Sequence, residues 1–283
     1  MAILESDSYE MWGSYCTFMK NAGLISWDLR AEAFVDDSVV GALYSALAAV
    51  EEDSKFMQRK LHHAGILRDD VIRQFNVQWL CEEQEHAKIL RALARTRGYA
   101  PESFDHRLRA RDRRATIAVL GLRCLRLHQR AIVGLYFALG AINEYIALST
   151  YVYLASRAHS DNERNILRNL ARQEGRHMRF YRSGLQSVMQ SSSPATRRLV
   201  RSILLLLWRP PGIDLLSKDR WLAAFTPVLA SSVARARLVE ADRVLNTVIG
   251  LDGLSLMASF LNDNPAARFG LPELFIDHEE AFR

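Results

Sequence analysis

The sequence predicts an all-α protein whose core is a bundle of long helices. Only seven prolines and fourteen glycines are spread over 283 residues, so few positions would interrupt a helix. Apolar residues recur at helical spacing in several long segments, and no stretch of useful length shows the alternation typical of strands. The 49% hydrophobic and 24% charged residues are typical of a globular protein and exclude a disordered chain.

Two long helices are predicted at the start of the bundle, over 39–63 and from about 70 to 97. The break "AGILRDD" separates them, and Asp69 or Asp70 can cap the second helix by accepting hydrogen bonds from its first amides. Gly98 is the residue type that commonly follows a helix end. The pair is therefore predicted to form an antiparallel hairpin.

A second pair of long helices follows a basic helical stretch that starts near Phe104. Its first helix is apolar and ends near Ala158, and the turn "HSDN" occupies 159–162. The next helix runs from about 163 to 189 and is ended by "SSSP". These elements predict a second hairpin.

Shorter helices complete the chain. "RPPG" is the clearest break, after which helices resume near Leu215 and run with interruptions to Asn246, while the tail after Asn262 is irregular. We expect a single domain made of these parts: the whole chain 1–283, a core bundle over about 37–190, and C-terminal helices over about 194–262 packed on it.

The most apolar segment, 131–155, contains a single formal charge, Glu144. Its length would permit a membrane span. A charge in mid-membrane is costly, however, and no second span follows. Because a helix inside a large bundle is also apolar on all sides, we expect a buried helix and no membrane span.

The cysteines and the first residues indicate a compartment. Cys16, Cys81 and Cys124 are odd in number and lack a C-x-x-C spacing, which argues against a disulfide framework or a zinc site. The opening "MAILESDSYEMWG" has neither the basic region nor the apolar region of a secretory signal. We expect a cytoplasmic protein.

Basic residues, mostly arginines, give a net charge of +5 and concentrate in 107–115 and 123–130. Such stretches suit nucleic acid, an acidic membrane face or an acidic protein, and they are as often a solvated helix face. No helix-turn-helix, zinc finger or aromatic-interleaved basic groove accompanies them. We therefore do not expect nucleic acid as a partner.

The chain contains two copies of Glu-x-x-His on predicted helices. Glu83 and His86 lie in "CEEQEH", and Glu174 and His177 lie in "QEGRH". Residues three apart share a helix face, so each copy can present a carboxylate and an imidazole to one point. One copy alone would be weak evidence, because this spacing is common by chance.

Two further helices carry lone carboxylates at matching heights. Glu144 interrupts the most apolar helix, where an unpaired charge would cost several kcal/mol, and Glu51 and Glu52 follow the apolar run "VVGALYSALAAV". Glu51 and Glu83 lie equally far from the first predicted turn, and Glu144 and Glu174 equally far from the second. Both hairpins therefore place carboxylates near mid-bundle.

One glutamate from each of two helices and Glu-x-x-His from each of two others is the ligand pattern of a ferritin-like four-helix bundle with a dinuclear metal core. Carboxylates with imidazoles suit iron or manganese. The alternative, solvated surface charges, is what we expect of Glu52, Glu82 and Glu85. The candidate catalytic and metal-binding residues are Glu51, Glu83, His86, Glu144, Glu174 and His177, with Glu52 as the alternate to Glu51.

Three segments, "WLCEEQEHAKIL", "NEYIALSTYVYLA" and "LARQEGRHMRFY", resemble the metal-binding helices of the soluble acyl-carrier-protein desaturases (type 2 fatty acid desaturases) in order and spacing. "ISWDLRAEAF", with Trp27, resembles that family's segment before the bundle. The resemblance covers about 25–190 and implies the six ligands above, two iron ions (Fe²⁺/Fe³⁺) or a manganese–iron pair, and additional flanking helices around the bundle.

The resemblance further implies an oxidoreductase that reduces O₂ with outside electrons and removes hydrogens from a carrier-bound acyl chain. Its implied partners are an acyl carrier protein, which the arginine stretches would suit, a ferredoxin-type electron donor and a second copy of the chain. Apolar residues on the ligand helices are candidates for lining an acyl channel or for ordinary core: Phe56, Met57, Phe137 and Tyr151.

The chain departs from the desaturase pattern at two residues near the motifs. Ala147 replaces a threonine one turn after the third-helix glutamate, and Gln173 replaces an aspartate before the second motif. The chain also looks shorter between Trp27 and the first ligand helix. These departures allow hydroxylation or another oxidation in place of desaturation.

Two alternatives stay open. One is an oxygenase of a small free metabolite, such as an amine. The related arylamine N-oxygenases add a histidine where this chain has Leu170, which weighs against them. The other is a ferritin-like iron store or a metal-stabilised interaction module without enzymatic activity.

Overall fold

The computed structural model describes residues 37–99, 129–216 and 218–263, and within these ranges it contains nine α-helices, a single 3-10 turn and no strand. The predicted all-α helical bundle is therefore confirmed. The helices are α1 Ser38–Ala64, α2 Asp70–Thr96, α3 Gln129–Ser156, α4 Asp161–Gln190, α5 Pro194–Leu207, α6 Ile213–Leu216, α7 Lys218–Ala230, α8 Ser232–Asn246 and α9 Leu256–Asp263.

Helices α1 and α2 form the first predicted hairpin. The Asp37 carboxylate accepts from the amide of Val40 at 3.1 Å and caps α1. Gly65 ends α1 in the left-handed region, with φ 73°, where a residue without a Cβ is favoured. After the 3-10 turn, Asp69 caps α2 by accepting from its first amides at 3.1 and 3.2 Å. Of the two predicted caps, Asp69 is the one used.

Helices α3 and α4 form the second hairpin, and a buried polar group joins it to the first. The Ser160 hydroxyl caps α4 by accepting from the Glu163 amide at 3.0 Å. The Glu163 carboxylate accepts from the Tyr44 hydroxyl at 2.6 Å and from the Arg97 guanidinium, which belong to the first hairpin. A buried charge needs such partners, so this contact fixes the two hairpins at one end of the bundle.

Aromatic rings fill the opposite end of the bundle. Phe75 stacks on Phe180 with ring centroids 3.7 Å apart, and Tyr181 meets Phe75 edge to face at 5.2 Å. Two glycines make this packing possible, because a Cβ on Gly140 would lie 2.2 Å from the Tyr181 ring, and one on Gly184 would lie 2.3 Å from a neighbouring ring. The rings close this end with dense apolar packing.

The C-terminal helices pack on the two hairpins. Helices α5 and α8 contact α3, and α7 contacts α1. Trp221 on α7 stacks on Phe225 with centroids 4.3 Å apart, and its indole N–H donates to the Pro211 carbonyl at 2.8 Å. All nine helices contribute residues to one hydrophobic core.

Helix α3 is long and apolar enough by composition to cross a membrane, and 61% of its most apolar window is buried in the bundle. Helices α7 and α8 pass the same test only as a pair bent by 110°. Most of α3 is therefore buried within the bundle.

Several predictions fall on residues outside the described ranges. These include Trp27 and its segment 25–34, the basic stretch 107–115, most of 123–130, and the C-terminal tail. Cys16 and Cys124 also lie outside, whereas Cys81 is an exposed free cysteine.

Candidate metal centre

Each of the four core helices places one or two charged side chains in the middle of the bundle. All six are buried, the most exposed being Glu144 at 7% and Glu51 at 6%. They are Glu51 from α1, Glu83 and His86 from α2, Glu144 from α3, and Glu174 and His177 from α4. The structure therefore brings together all six residues that the sequence predicted.

The six residues form two overlapping groups, each with ligand atoms within 4.8 Å of one another. One group is Glu51, Glu83, His86 and Glu174, and the other is Glu83, Glu144, Glu174 and His177. Glu83 and Glu174 belong to both groups. Two carboxylates are shared between the two groups, and each group is completed by one glutamate and one histidine, so the cluster could hold a pair of metal ions.

The imidazoles face the carboxylates with the same ring nitrogen. His86 Nδ1 lies 2.9 Å from Glu174 Oε1, and His177 Nδ1 lies 3.2 Å from Glu83 Oε1 and 3.2 Å from Glu174 Oε2. The two imidazole rings are 6.2 Å apart between centroids. Both Nδ1 atoms therefore point into the centre of the cluster.

Three atoms inside the cluster show that it suits a cation. Glu83 Oε1, His86 Nδ1 and Glu174 Oε1 are buried and face other ligand atoms of the cluster without a hydrogen bond of normal geometry, although buried polar atoms are normally satisfied. Four carboxylates in an apolar interior are also costly unless positive charge balances them, and two divalent cations would balance them. The donor set therefore fits a pair of metal ions.

The electrostatics of the cluster agree with this fit. Burial raises the pKa of Glu51, and it raises the pKa values of Glu83 and Glu144 well above their usual range, with the charge of Glu174 adding to each. Burial would also raise the pKa of Glu174, but hydrogen bonding to Glu144 and the contact with His86 hold it well below its usual range. Without metal, the cluster therefore retains protons that a cation would displace.

The outward-facing nitrogen of each histidine bonds to the residue that precedes the opposite Glu-x-x-His motif. His177 Nε2 lies 2.6 Å from the Glu82 carboxylate, and His86 Nε2 lies 2.7 Å from the Gln173 side-chain oxygen. An oxygen acceptor holds a proton on Nε2, so Nδ1 is the ring nitrogen that each histidine can offer to a metal.

Two aromatic side chains hydrogen-bond to the unshared glutamates. The Trp79 indole N–H donates to Glu144 Oε1 at 3.0 Å, and the Tyr151 hydroxyl donates to Glu51. Burial and the nearby negative charge of Glu51 raise the pKa of Tyr151 well above its usual range, so this hydroxyl stays protonated. Both donors fix the orientation of a carboxylate.

The expectation that Glu82 is a surface charge is wrong. Its exposed fraction is 1%, because it lies on the inner face of α2 against His177. Glu52 and Glu85 do lie near the surface, where Glu52 contacts Arg91 and Glu85 pairs with Lys88 at 3.1 Å. Glu51, rather than its alternate Glu52, is the α1 carboxylate within the cluster.

Four residues hydrogen-bond to the candidate ligands, a role that the sequence analysis did not assign to them, and each has a sequence signal. Glu82 and Gln173 occupy the same position, one residue before their motif. Trp79 lies four residues before Glu83, and Tyr151 lies seven after the α3 glutamate, so each shares a helix face with a ligand. The departure at Gln173 thus lies in direct contact with a candidate ligand.

The four candidate channel residues divide into two pairs. Phe137 and Tyr151 are fully buried, Phe137 in the aromatic packing and Tyr151 against the cluster. Met57 is 37% exposed, and Phe56 lies beneath the Arg59 guanidinium at 4.7 Å. The first pair therefore belongs to the core and the second faces the surface of the bundle.

We compared the chain with protein-family models, curated proteins and solved structures, and none of the three comparisons gave a match. The helical bundle and its Glu/His cluster are thus observations of the structure. The desaturase resemblance remains a prediction carried by the sequence motifs.

Proposed function

We propose that the protein is an O₂-dependent di-iron oxidoreductase that abstracts hydrogen from an unactivated C–H bond of a carrier-tethered acyl substrate. The observation that carries the proposal is the pair of overlapping ligand groups, which share Glu83 and Glu174 at the centre of the bundle. With the metal pair bound, the centre would supply the reduction of O₂, which amino-acid side chains do not perform.

The ligand types favour iron, or manganese with iron, over zinc. Carboxylate oxygens and imidazole nitrogens make up the whole cluster, whereas structural zinc sites usually include thiolates. Cys81, the cysteine within the described ranges, is exposed, and no cysteine belongs to either group. Iron in two oxidation states would meet the requirement for electron transfer.

The chain's own residues would hold the metal pair and exclude water from it. Glu51 accepts from Tyr151 and Glu144 accepts from Trp79, and these hydrogen bonds orient the two carboxylates before a metal binds. Helix α3 supplies apolar surroundings in which competing hydrolysis and proton leakage are suppressed.

The substrate and redox partner are supported by the resemblance of the motifs. Desaturation would remove two hydrogens from the acyl chain. With two electrons from a ferredoxin-type donor, one per reduced ferredoxin, and two protons from the solvent, these hydrogens would reduce O₂ to two waters. The arginine stretches near 107–130 favour an acidic carrier protein. Ala147 on α3 lacks the hydroxyl of the threonine that the desaturases have at this position. Because of this departure, the same proposal includes hydroxylation in place of desaturation.

The direct test is turnover by the full-length chain loaded with Fe(II). A panel of carrier-tethered acyl chains is incubated with O₂, ferredoxin and its reductase, and products are identified by mass spectrometry. We expect O₂-dependent loss of two hydrogens or gain of one oxygen, and loss of that product in Glu144→Ala. An iron-loaded protein that oxidises no carrier-bound substrate but oxidises free amines would contradict the substrate class.

Glu85→Ala is the matched control for this experiment. It removes a glutamate from the same bundle that lies near the surface and pairs with Lys88, so its turnover should equal that of the wild type. Shell-sized particles that take up many irons per chain without product would instead favour an iron store.

A further inference from the structure

We infer that Glu82 and Gln173 make the two metal positions unequal, so that the position completed by His177 binds a divalent cation more tightly and fills first. This inference rests on the dinuclear centre of the proposed function. It concerns the chain's own outer hydrogen bonds, and metal binding alone can test it.

The two ligand groups are otherwise matched in composition. Each contains both shared glutamates, one unshared glutamate and one histidine that faces the centre through Nδ1. The ligand atoms alone therefore give little reason for a difference in affinity. The two groups differ instead in the hydrogen-bond partners of the histidine Nε2 atoms, which face away from the centre.

The partners of those Nε2 atoms differ by a full charge. His177 donates to the Glu82 carboxylate at 2.6 Å, whereas His86 donates to the neutral Gln173 amide oxygen at 2.7 Å. A carboxylate acceptor makes an imidazole a stronger electron donor to a metal than an amide does. Removing such an outer partner typically lowers metal affinity by about 10- to 100-fold.

Glu82 is held in place for this role. Its other oxygen accepts from the Gln78 side chain at 3.4 Å and lies 3.7 Å from the Arg176 guanidinium. Because these contacts and its burial fix the carboxylate, the hydrogen bond to His177 exists before any metal arrives. Glu82 therefore acts as a positioning residue for His177.

The test is an anaerobic titration of the metal-free full-length protein with Co(II), followed by visible absorption and calorimetry. The wild type should bind in two steps whose affinities differ by about 10- to 100-fold. Glu82→Gln gives both histidines an amide partner, so the tighter step should weaken until the two steps merge. Gln173→Glu gives both a carboxylate, so the weaker step should tighten.

Two histidine variants assign the steps, and a third variant controls for a general effect of charge. His177→Ala should abolish the tight step, whereas His86→Ala should leave it. Glu85→Gln removes a carboxylate three residues from Glu82 on the same helix and should change neither step. Circular dichroism establishes that each variant is folded, and Gln173→Glu keeps the inference testable if Glu82→Gln does not fold.

The outcomes separate this inference from the proposed function. A wild type that binds two ions in a single step, with both affinities unchanged in Glu82→Gln and Gln173→Glu, would overturn the inference and leave the dinuclear centre standing. A wild type that binds no Co(II), Mn(II) or Fe(II) would overturn both.

Discussion

At the scale of single residues, the cost of burying charge decides where each glutamate lies. Glu144 is buried within the most apolar helix and accepts from Trp79. Glu51 and Glu52 are neighbours on α1, yet Glu51 faces the cluster while Glu52 faces Arg91 and Lys55. A turn of about 100° between adjacent helical residues separates a candidate metal ligand from a surface ion pair.

This difference predicts the effect of two neighbouring substitutions. Glu51→Gln should lower the iron bound per chain, because it removes an anionic ligand from one of the two groups. Glu52→Gln should leave the metal content unchanged and alter stability by less than about 1 kcal/mol, as expected for an exposed ion pair. Metal analysis by mass spectrometry after anaerobic Fe(II) loading checks both, and equal losses would contradict the assignment of Glu51.

At the scale of helices, close approach between α3 and α4 depends on glycine. The rings that fill one end of the bundle occupy the space above Gly140 and Gly184. An alanine in a helix is normally more favourable than a glycine by about 1 kcal/mol. Here the packing of the rings against the backbone outweighs that preference.

Gly140→Ala is therefore expected to destabilise the protein despite its helix propensity. Its Cβ would lie 2.2 Å from the Tyr181 ring, and overpacking of this kind costs about 1–3 kcal/mol. The control is Gly175→Ala on α4, whose Cβ would meet only the end of the Leu148 side chain at 3.1 Å. Urea unfolding measures both, and an equal change in the two variants would contradict the packing described for this end.

At the scale of the whole molecule, the bundle keeps a charged centre inside an apolar shell. Antiparallel hairpins with ligands equally far from their turns were predicted from the positions of the glutamates, and the structure has both hairpins. The first turn lies between Ala64 and Asp70, and the second between Ser156 and Asp161. The location of the cluster thus follows from helix length and turn position.

Because carboxyl groups are buried in this centre, the stability of the protein should depend on pH, and the direction of this dependence should reverse when metal binds. The folded-state pKa values of Glu51, Glu83 and Glu144 are raised above the ordinary 4.5. Their contribution to stability is therefore present below that value and lost as the pH rises through the raised pKa values. Glu174 has a lowered pKa and is ionised in both the folded and the unfolded state above pH 4.5, so its contribution to stability stays constant there.

Metal-free protein should accordingly become less stable as the pH rises above 4.5, by up to about 1.4 kcal/mol per pH unit for each carboxyl that retains its proton. Protein loaded with Mn(II) should become more stable over the same range, because cations bind the ionised carboxylates. Glu144→Gln should flatten the slope of the metal-free protein, and Glu85→Gln should not. The measurement is the melting temperature by calorimetry at a series of pH values. Equal slopes of melting temperature against pH with and without metal would contradict the predicted reversal.

The sequence predicted the helices and the six clustered residues because both depend on spacing along the chain. It did not separate Glu82 from Glu85, since both lie in the charged run "CEEQEH" and only side-chain packing shows which one faces α4. Gln173 looked like a departure from a motif, and its bond to His86 depends on the position of a different helix. The identity of the substrate and of the redox partner does not follow from the spacing of residues along the chain, and both remain proposals.

The measurement that tests the central claim most directly is the number of ferrous ions bound per chain in anaerobic titrations of the wild type and Glu83→Gln. Glu83 belongs to both ligand groups, so the wild type should bind about two ions and the variant should weaken at both positions. A wild type that binds no iron, or a variant that binds as much iron as tightly as the wild type, would contradict the dinuclear centre.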